Sequence, residues 1–466
     1  MAYTLEQSTT GVQGVADELI YVVKDSTNTG ELNYRYICVI SVGATELLRL
    51  KQLPNNAAAA VFNIQSIVSN YVQQDESPYR LGLFDLDGNS SMTTIFATNT
   101  EALKTITVDF GYEFSIAAGD APTTVLVPAT ETDVICLNGN FLQSTQIAPT
   151  VSAAQDYGLA NQYKLFLSDV NNTNLEQDVL YGLPVDIGTP HFQFMALAFL
   201  NGDDVGSDSS SFLHFSYFNG ATPLNTGYIQ NNATNGGADP IAGLLDSQSL
   251  LYVGVGTGNL YYQAINPDLE PQAVGNVGWT HYFVQWSTSA TLSGNEVSAS
   301  YKFNRVTCGK YITDEQTFSL HWWNSKGGVD NLLVTGKVME SQEMDKKDYR
   351  TSGGNSFSAN GTGTEYKRQP WQGGKKSTNV LTTTSLQLTT QGGTPDNLTP
   401  LIKSLLNSEK VYLSGKSFWG NNSDVATSGI VQAYIKDKNL EVLTNINEGA
   451  ISYKIGVEIS RRRANV

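Results

Sequence analysis

Residues 318 to 330, "FSLHWWNSKGGVD", set His321 and Asp330 nine positions apart, with Ser319 beside them and Cys308 upstream. A serine or cysteine hydrolase needs such a nucleophile, a base and an orienting acid brought together. The whole chain offers only His191, His214, His281 and His321 as imidazoles. His321 lies in an alternating run, with Leu320 and Trp322 on one side and His321 and Trp323 on the other, which reads as a strand histidine rather than a base. No His-x-His or His-x-x-x-His spacing occurs, so a transition-metal site is not expected. "DLDGNSS" (85–91) and "NGDDVGSDSSS" (201–211) gather oxygen ligands suited to calcium. The first departs from the EF-hand pattern, with Gly88 at the fourth position and Phe96 at the twelfth, and both read as turns.

Asp203, Asp204, Asp268 and Glu270 have the right type for a glycosidase carboxylate pair, but spacing along the chain does not set their separation in space. "GVGTGNL" (254–260) lacks the spacing of a dinucleotide fingerprint, and no phosphate-cradling GxxxxGK[ST] occurs. Trp279, Tyr282, Trp286, Trp322, Trp323, Trp371 and Trp419 could stack on sugar rings, although packing in a core is the commoner use of a strand aromatic. Cys38, Cys136 and Cys308 are few, odd in number and far apart, and read as buried free thiols. The expectation is no catalytic residue, no metal ligand and no cofactor.

The elements that would position these groups are strands. Charged residues make up 15% of the 466 and aromatics 10%, with abundant Gly, Ser, Thr and Asn, a mixture suited to strands and tight turns. Twenty-eight basic against 44 acidic residues give a net charge of −16, which disfavours nonspecific binding to nucleic acid or an anionic membrane. The longest apolar runs, such as "FMALAFL" (194–200), fall short of a membrane span, and the start "MAYTLEQSTTGVQG" lacks the basic and apolar stretches of a secretory signal. The expectation is a soluble chain made in a cytoplasm.

In "TITVDFGYEF" Ile106, Val108, Phe110, Tyr112 and Phe114 alternate, as do Ile451, Tyr453, Ile455, Val457 and Ile459 in "ISYKIGVEIS". Residues 34–43 and 46–54 form a hairpin turned at Gly43-Ala44. Residues 57–72 place Val61, Ile64, Ile67, Val68 and Tyr71 at helical spacing and predict a short amphipathic helix. Leu401, Ile402, Leu405 and Leu406 predict another after residue 395, ahead of a strand. Asn138-Gly139, Asn201-Gly202, Asn219-Gly220 and Asn235-Gly236 mark turns. The fold class is all-β, mainly antiparallel β-sandwich modules with a few short helices. The division is an N-terminal β-module with a short helix (1–78), a sandwich region (79–185), a central β-domain (186–310) and a C-terminal β-domain (311–466). From 341 to 378 the apolar pattern lapses into a loop or arm with seven basic and four acidic residues, net +3. Lys346, Lys347, Arg350, Lys367, Arg368, Lys375 and Lys376 are its candidates for docking on an acidic neighbouring subunit.

Three stretches resemble the poorly characterised virion structural proteins of tailed bacteriophages, in their tail or host-attachment apparatus. They are "YRYICVISVGATELLRLKQLPNNAAAAVFNIQSIVSNYV", "CGKYITDEQTFSLHWWNSKGGVDNLLVTGK" (308–337), and "LLNSEKVYL" with "EGAISYKIGVEIS". The likeness covers about 130 residues and leaves the middle, roughly 80 to 300, unmatched. It implies a non-enzymatic virion component in tail, neck or attachment apparatus, with copies of itself and other virion proteins as partners and no nucleic acid or membrane partner. A carbohydrate-binding adhesin meeting host-surface glycan, a capsid-associated shell protein and a glycan-degrading enzyme stand as alternatives. In such a protein Asn324 to Gly328 turns one strand into the next, Gly327 and Gly328 give the backbone its positive φ angles, and Asn324 and Asp330 bond exposed backbone groups at the corner. Trp322 and Trp323 are then core or subunit-interface anchors.

Overall fold

The computed structural model describes residues 3–9, 11–73, 96–99, 101–127, 132–139, 164–169, 176–182, 191–193, 195–201, 212–230, 249–262, 266–287, 289–296, 298, 300–306, 318–334, 338–350, 358–360, 363–365, 375–390, 395–415, 430–436, 442–444, 451–459 and 463–464. The fold is all-β, built from several mainly antiparallel sheets with short helices between them.

At the N-terminal end a three-stranded sheet (Thr4–Gln7, Ile20–Lys24, Ala59–Asn63) packs on a larger one. The larger sheet runs in the order Gly11–Gly14, Thr132–Leu137, Leu103–Ser115, Leu32–Val42, Thr45–Gln52, with Thr123–Leu126 also on Leu103–Ser115. Alternation creates the shared core: Tyr36, Cys38 and Ile40 from one strand and Ile106, Val108 and Phe110 from its neighbour meet Tyr21, Val23 and Phe62. Gly43 at φ +54° turns the hairpin between Leu32–Val42 and Thr45–Gln52, as the sequence predicts. The sheet crosses the boundary set at residue 78, because Leu103–Ser115, Thr123–Leu126 and Thr132–Leu137 pair into it. Its edge strand Gly11–Gly14 lies parallel to Thr132–Leu137, a long-range pairing that no local pattern signals.

Burial pushes the Cys38 and Cys136 thiols up to about 12, the Asp109 charge adding to the effect at Cys38. Both are fully buried free thiols. Alkylation of the native chain at pH 8, followed by peptide mass spectrometry, is expected to leave both unlabelled until denaturant is added. Cys308 lies outside the described residues.

The middle of the chain supplies two sheets. One is ordered His191–Phe192, Glu176–Gly182, Tyr301–Val306, His281–Ser287, Phe212–Asn219, Thr222–Gln230. The other is ordered Lys164–Phe166, Ala196–Asn201, Ser249–Gly254, Phe96–Asn99. The C-terminal sheet runs Val329–Val334, Phe318–Trp323, Val411–Gly415, Ile430–Ile435, Ile451–Ile459, Lys375–Thr389, Val338–Arg350. One hydrophobic cluster joins Leu213, Phe215, Trp279 and Trp286 of the middle to Leu320, Trp322, Tyr453 and Val457, so the core spans the boundary set at 310. The helix Pro395–Asn407 buries Leu401, Ile402 and Leu405 in that cluster, the stripe the sequence predicts. Among the described residues no helix is long and apolar enough to cross a membrane.

Two segments differ from expectation. Residues 57–72 are not one helix: Ala59–Asn63 is a strand paired to Ile20–Lys24, and only Gln65–Val68 is helical. A free strand edge captured the segment, so Ala60, Phe62 and Ile64 point inward with period two while Val61 is 46% exposed. The stretch 341–378 is not simply a loop. Val338–Arg350 and Lys375–Thr389 form a long antiparallel ribbon, with a short hairpin of Ser358–Asn360 and Gly363–Glu365 between them in sequence. A helix at Thr257–Tyr262, in the "GVGTGNL" region, has no counterpart in the sequence reading.

Candidate functional site

The hairpin of Phe318–Trp323 and Val329–Val334 is buried at all twelve positions. Trp322 stands opposite Asp330 and Trp323 opposite Val329. The turn closes through Asn324, whose N–H donates to Gly328 O at 3.0 Å. Its side-chain oxygen accepts from Lys326 N (3.1 Å) and Gly328 N (2.8 Å), an Asx-type clasp that satisfies the corner. Gly327 takes φ +80°, where a side chain would be strained.

This tip is an internal joint. Asn324 Nδ2 donates to Leu167 O at 2.7 Å, and Lys326 Nζ donates to Ser168 O at 2.7 Å. A β-carbon on Gly328 would sit 2.1 Å from Leu167 O, and one on Gly327 2.3 Å from Asn138 O. The glycines let three distant pieces of chain meet backbone to backbone. The Asn138-Gly139 pair, expected as a tight turn, is one of those pieces, and a β-carbon on Gly139 would meet Lys326 backbone at 2.7 Å. Asn219-Gly220 does turn a hairpin, with Gly220 at φ +56°. Asn201 ends a strand, whereas Gly202, Asn235 and Gly236 lie outside the described residues.

Beneath the turn lies a buried polar network. Asp330 is fully buried and accepts from Ser168 Oγ (2.5 Å) and Asp169 N (2.8 Å). Asp169 accepts from Ser325 N (2.8 Å), Ser325 Oγ (2.7 Å) and Ser404 Oγ (2.5 Å), and Trp322 Nε1 donates to Ser404 Oγ at 3.0 Å. Burial pushes the Asp330 carboxyl well above the ordinary range, and the Asp169 charge adds to this; the donors from Ser168, Asp169 and Asn324 only partly oppose it. Asp169, Trp323, Asn324 and Ser325 line an open cleft of about 840 Å³ whose walls include Gln65, Gln73, Lys403 and Lys410. Asp330 is not among the lining residues, so its raised affinity for a proton faces protein rather than a visitor.

His321 also points away from chemistry. It is fully buried, with Nδ1 2.6 Å from Asn331 Oδ1 and Nε2 2.7 Å from Ser414 Oγ. Asn331 Nδ2 donates to Ala196 O at 2.8 Å, which fixes Oδ1 as the acceptor. Nδ1 therefore carries the proton and Nε2 accepts from the serine hydroxyl. Burial, against the raising effect of the Asn331 bond, drives the imidazole down to about 4. It is a neutral cross-brace between three strands.

Among the described residues no group of three or more His, Cys, Asp or Glu is placed to hold a metal ion. Residues 85–91 and 202–211, including Asp203 and Asp204, lie outside the described residues; Asp268 lies within the short 3-10 turn Pro267–Leu269, and Glu270 caps its end. Trp279, Trp286, Trp322, Trp323 and Tyr282 are at most 2% exposed, which removes them as sugar platforms and makes Trp322 and Trp323 core rather than subunit-interface anchors. Trp371 and Trp419 lie outside the described residues. The structure sets Trp322, Trp323, Asn324, Gly327, Gly328 and Asp330 around one turn, but Gly328 has no positive φ and serves instead to let Leu167 approach, and Asp330 bonds Ser168 and Asp169 in the interior rather than exposed backbone at the turn; Ser168, Asp169 and Ser404 were not anticipated. The "LSD" at 167–169 carries no local signal of a partner about 160 residues away.

The basic candidates sit elsewhere. Lys346 and Lys347 are exposed on the ribbon's outer strand. Arg350 stands opposite Lys375, and Tyr349 opposite Lys376, near its far end. Lys367 and Arg368 lie outside the described residues. Along the outer strand Glu340, Glu343 and Asp345 come first, and Lys346, Lys347, Asp348 and Arg350 follow, with Lys375 and Lys376 on the facing strand at that end; the other end of the facing strand buries Leu386 and Leu388. From Met339 to Tyr349 every outer-strand side chain whose burial is described is exposed, on both faces, including Met339, Met344 and Tyr349.

No protein-family model matches the chain, and no curated protein matches it.

Proposed function

We propose that the chain is a non-enzymatic structural subunit of a tailed-bacteriophage virion, in its tail, neck or host-attachment apparatus, that works by symmetric contact with sister subunits. The observation that carries this reading is the ribbon Val338–Arg350 with Lys375–Thr389. The inner strand is anchored in the sheet through Leu386 and Leu388, but the outer strand is exposed from Met339 to Tyr349 wherever its burial is described and has little apolar burial to stabilise it. It gains that stability when a neighbour covers it, which is what an assembly arm does. The three-stretch resemblance to phage virion proteins supplies the particle. The corner network supports a passive role, since its acids and serines bond one another and bind separate segments of one chain together.

Mass spectrometry of purified particles, with immunogold labelling to locate the chain, tests this. The polypeptide is expected in many copies at the tail or neck. Its absence from particles, or release of reducing ends from host polysaccharide by the purified chain, overturns the proposal. Labelling over the icosahedral shell would place it with capsid-associated proteins instead.

A further inference from the structure

We infer that residues 3–73 and 101–139 form one unit hinged on the rest of the chain, and that its swing opens and closes the cleft of about 840 Å³. The inference stands apart from the subunit reading above.

Each side has a core of its own. Tyr21, Tyr36, Phe62 and Phe110 belong to a hydrophobic cluster whose buried members all fall between Val15 and Cys136. The larger cluster around Trp286, Trp322 and Tyr453 draws its buried members from Met195 onward. Two separately packed cores move relative to one another unless a large apolar interface locks them. The cleft is the reverse of such a lock. The N-terminal unit lends it Ser69 and Gln73, and the larger body lends it Lys403, Asn407 and Glu409, all of them polar and exposed.

The connections between the two bodies converge on one place. Phe96–Asn99 pairs into a sheet of the larger body and Leu103–Ser115 into the N-terminal unit. Between these strands Glu101 O accepts from Gln73 N at 3.0 Å, and Ala102 O accepts from Asn138 N at 2.8 Å. The ends of the two segments that make up the unit, at Gln73, Glu101 and Gly139, therefore lie side by side, and rotation about that point stretches no strand.

The glycine joint sits at the same point. Gly139 is fixed to the N-terminal unit, since Ala16 N donates to Gly139 O at 3.1 Å. Lys326 is fixed to the larger body through the bond from its Nζ to Ser168 O. The two halves meet closely: a β-carbon on Gly139 would lie 2.7 Å from the Lys326 backbone carbon, and one on Gly327 3.3 Å from Leu137 Cγ. Ala102 and Leu137 are fully buried there. A packed pivot beside an open polar cleft prevents sliding and permits a swing, the arrangement of a hinge whose few moving residues lie at the ends of strands.

The test uses the full chain carrying Cys308→Ser, so that spin labels are expected only at introduced cysteines, Cys38 and Cys136 being buried. Ser69→Cys with Asn407→Cys places one label on each side of the cleft. Glu18→Cys with Ser69→Cys places both within the N-terminal unit. Dipolar spectroscopy is expected to give a cross-cleft distance distribution about twofold wider than the internal one, or more. Gly139→Ala, which wedges the pivot, is expected to shift the cross-cleft mean and leave the internal distance unchanged. All six tryptophans lie at residue 279 or beyond, so their fluorescence reports the larger body alone. In urea that curve is expected not to coincide with far-ultraviolet circular dichroism, which reports both bodies. A cross-cleft spread no wider than the internal one, a native cross-cleft distance in Gly139→Ala, or coincident unfolding curves overturns the inference.

Discussion

Gly328→Ala is expected to lower the unfolding free energy by about 3 kcal/mol, the upper part of the range for overpacking a close contact. The added β-carbon would lie 2.1 Å from the Leu167 carbonyl oxygen and 2.8 Å from its β-carbon. The first of these is backbone, so no rotamer change relieves it. Relief requires the turn and residues 167–169 to separate. That movement strains the Asn324–Leu167 and Lys326–Ser168 bonds and both bonds to Asp330 together. Loss of a buried acceptor's partners adds about 1–3 kcal/mol where the separation completes. Gly30→Ala, at a position with open space around it, is the matched control and is expected to be near neutral. Urea titration followed by tryptophan fluorescence reads both, since Trp322 and Trp323 lie beside the turn. Equal stability of the two variants would show that the joint does not bear on folding.

The second large effect is a hidden pair of opposed pH dependences. His321 titrates at about 4 in the folded chain against an ordinary 6.5. The unfolded chain therefore takes up a proton in that interval that the native one refuses. The stability contributed by neutral His321 is whole above pH 6.5 and is lost as the pH falls toward 4, a total of roughly 3 kcal/mol. Asp330 runs the other way. Its folded value is raised above the ordinary 3.8, so its contribution is whole below pH 3.8 and is lost as the pH rises through the raised value. Across the shared window the two slopes cancel. Asp330→Asn removes one of them, so relative to the native chain its stability should fall on acidification from pH 6.5 toward 4 by up to about 1.4 kcal/mol per unit. His321→Gln should show the opposite tilt, gaining relative to the native chain over the same interval. Denaturant titrations at four or five pH values decide it; parallel curves for all three proteins would remove the opposed pair.

The corner was legible because its signals are local: alternating bulky residues, then Asn, Ser, Lys and two glycines, then alternation again. The same holds for the strands at 103–115 and 451–459 and for the helix stripe at Leu401, Ile402 and Leu405. What escaped depends on partners far along the chain. In residues 59–72, Val61, Ile64, Ile67, Val68 and Tyr71 fit a helical face while Ala60, Phe62 and Ile64 fit a period of two, and the edge of Ile20–Lys24 decided between them. The ribbon escaped for a different reason. Its outer strand carries polar and charged residues on both faces, so no apolar alternation marks it as extended, and its charges read as a solvated loop. Ser168, Asp169 and Ser404 are ordinary residues until the fold sets them against Asp330 and Trp322.

The parallel pairing of Gly11–Gly14 with Thr132–Leu137 bears on how the chain is made. The eleventh residue leaves the ribosome long before its partner, and the hairpin at 318–334 waits likewise for Val411–Gly415 to emerge. At about 5–20 residues per second those delays run from several seconds to tens of seconds, during which unpaired strands stand open to any neighbour. Such contacts, distant in sequence, make a slow folder. A nascent copy therefore has to survive on the polysome before it can meet a finished one, and its yield should depend on translation speed and on chaperones more than on the stability of the completed fold.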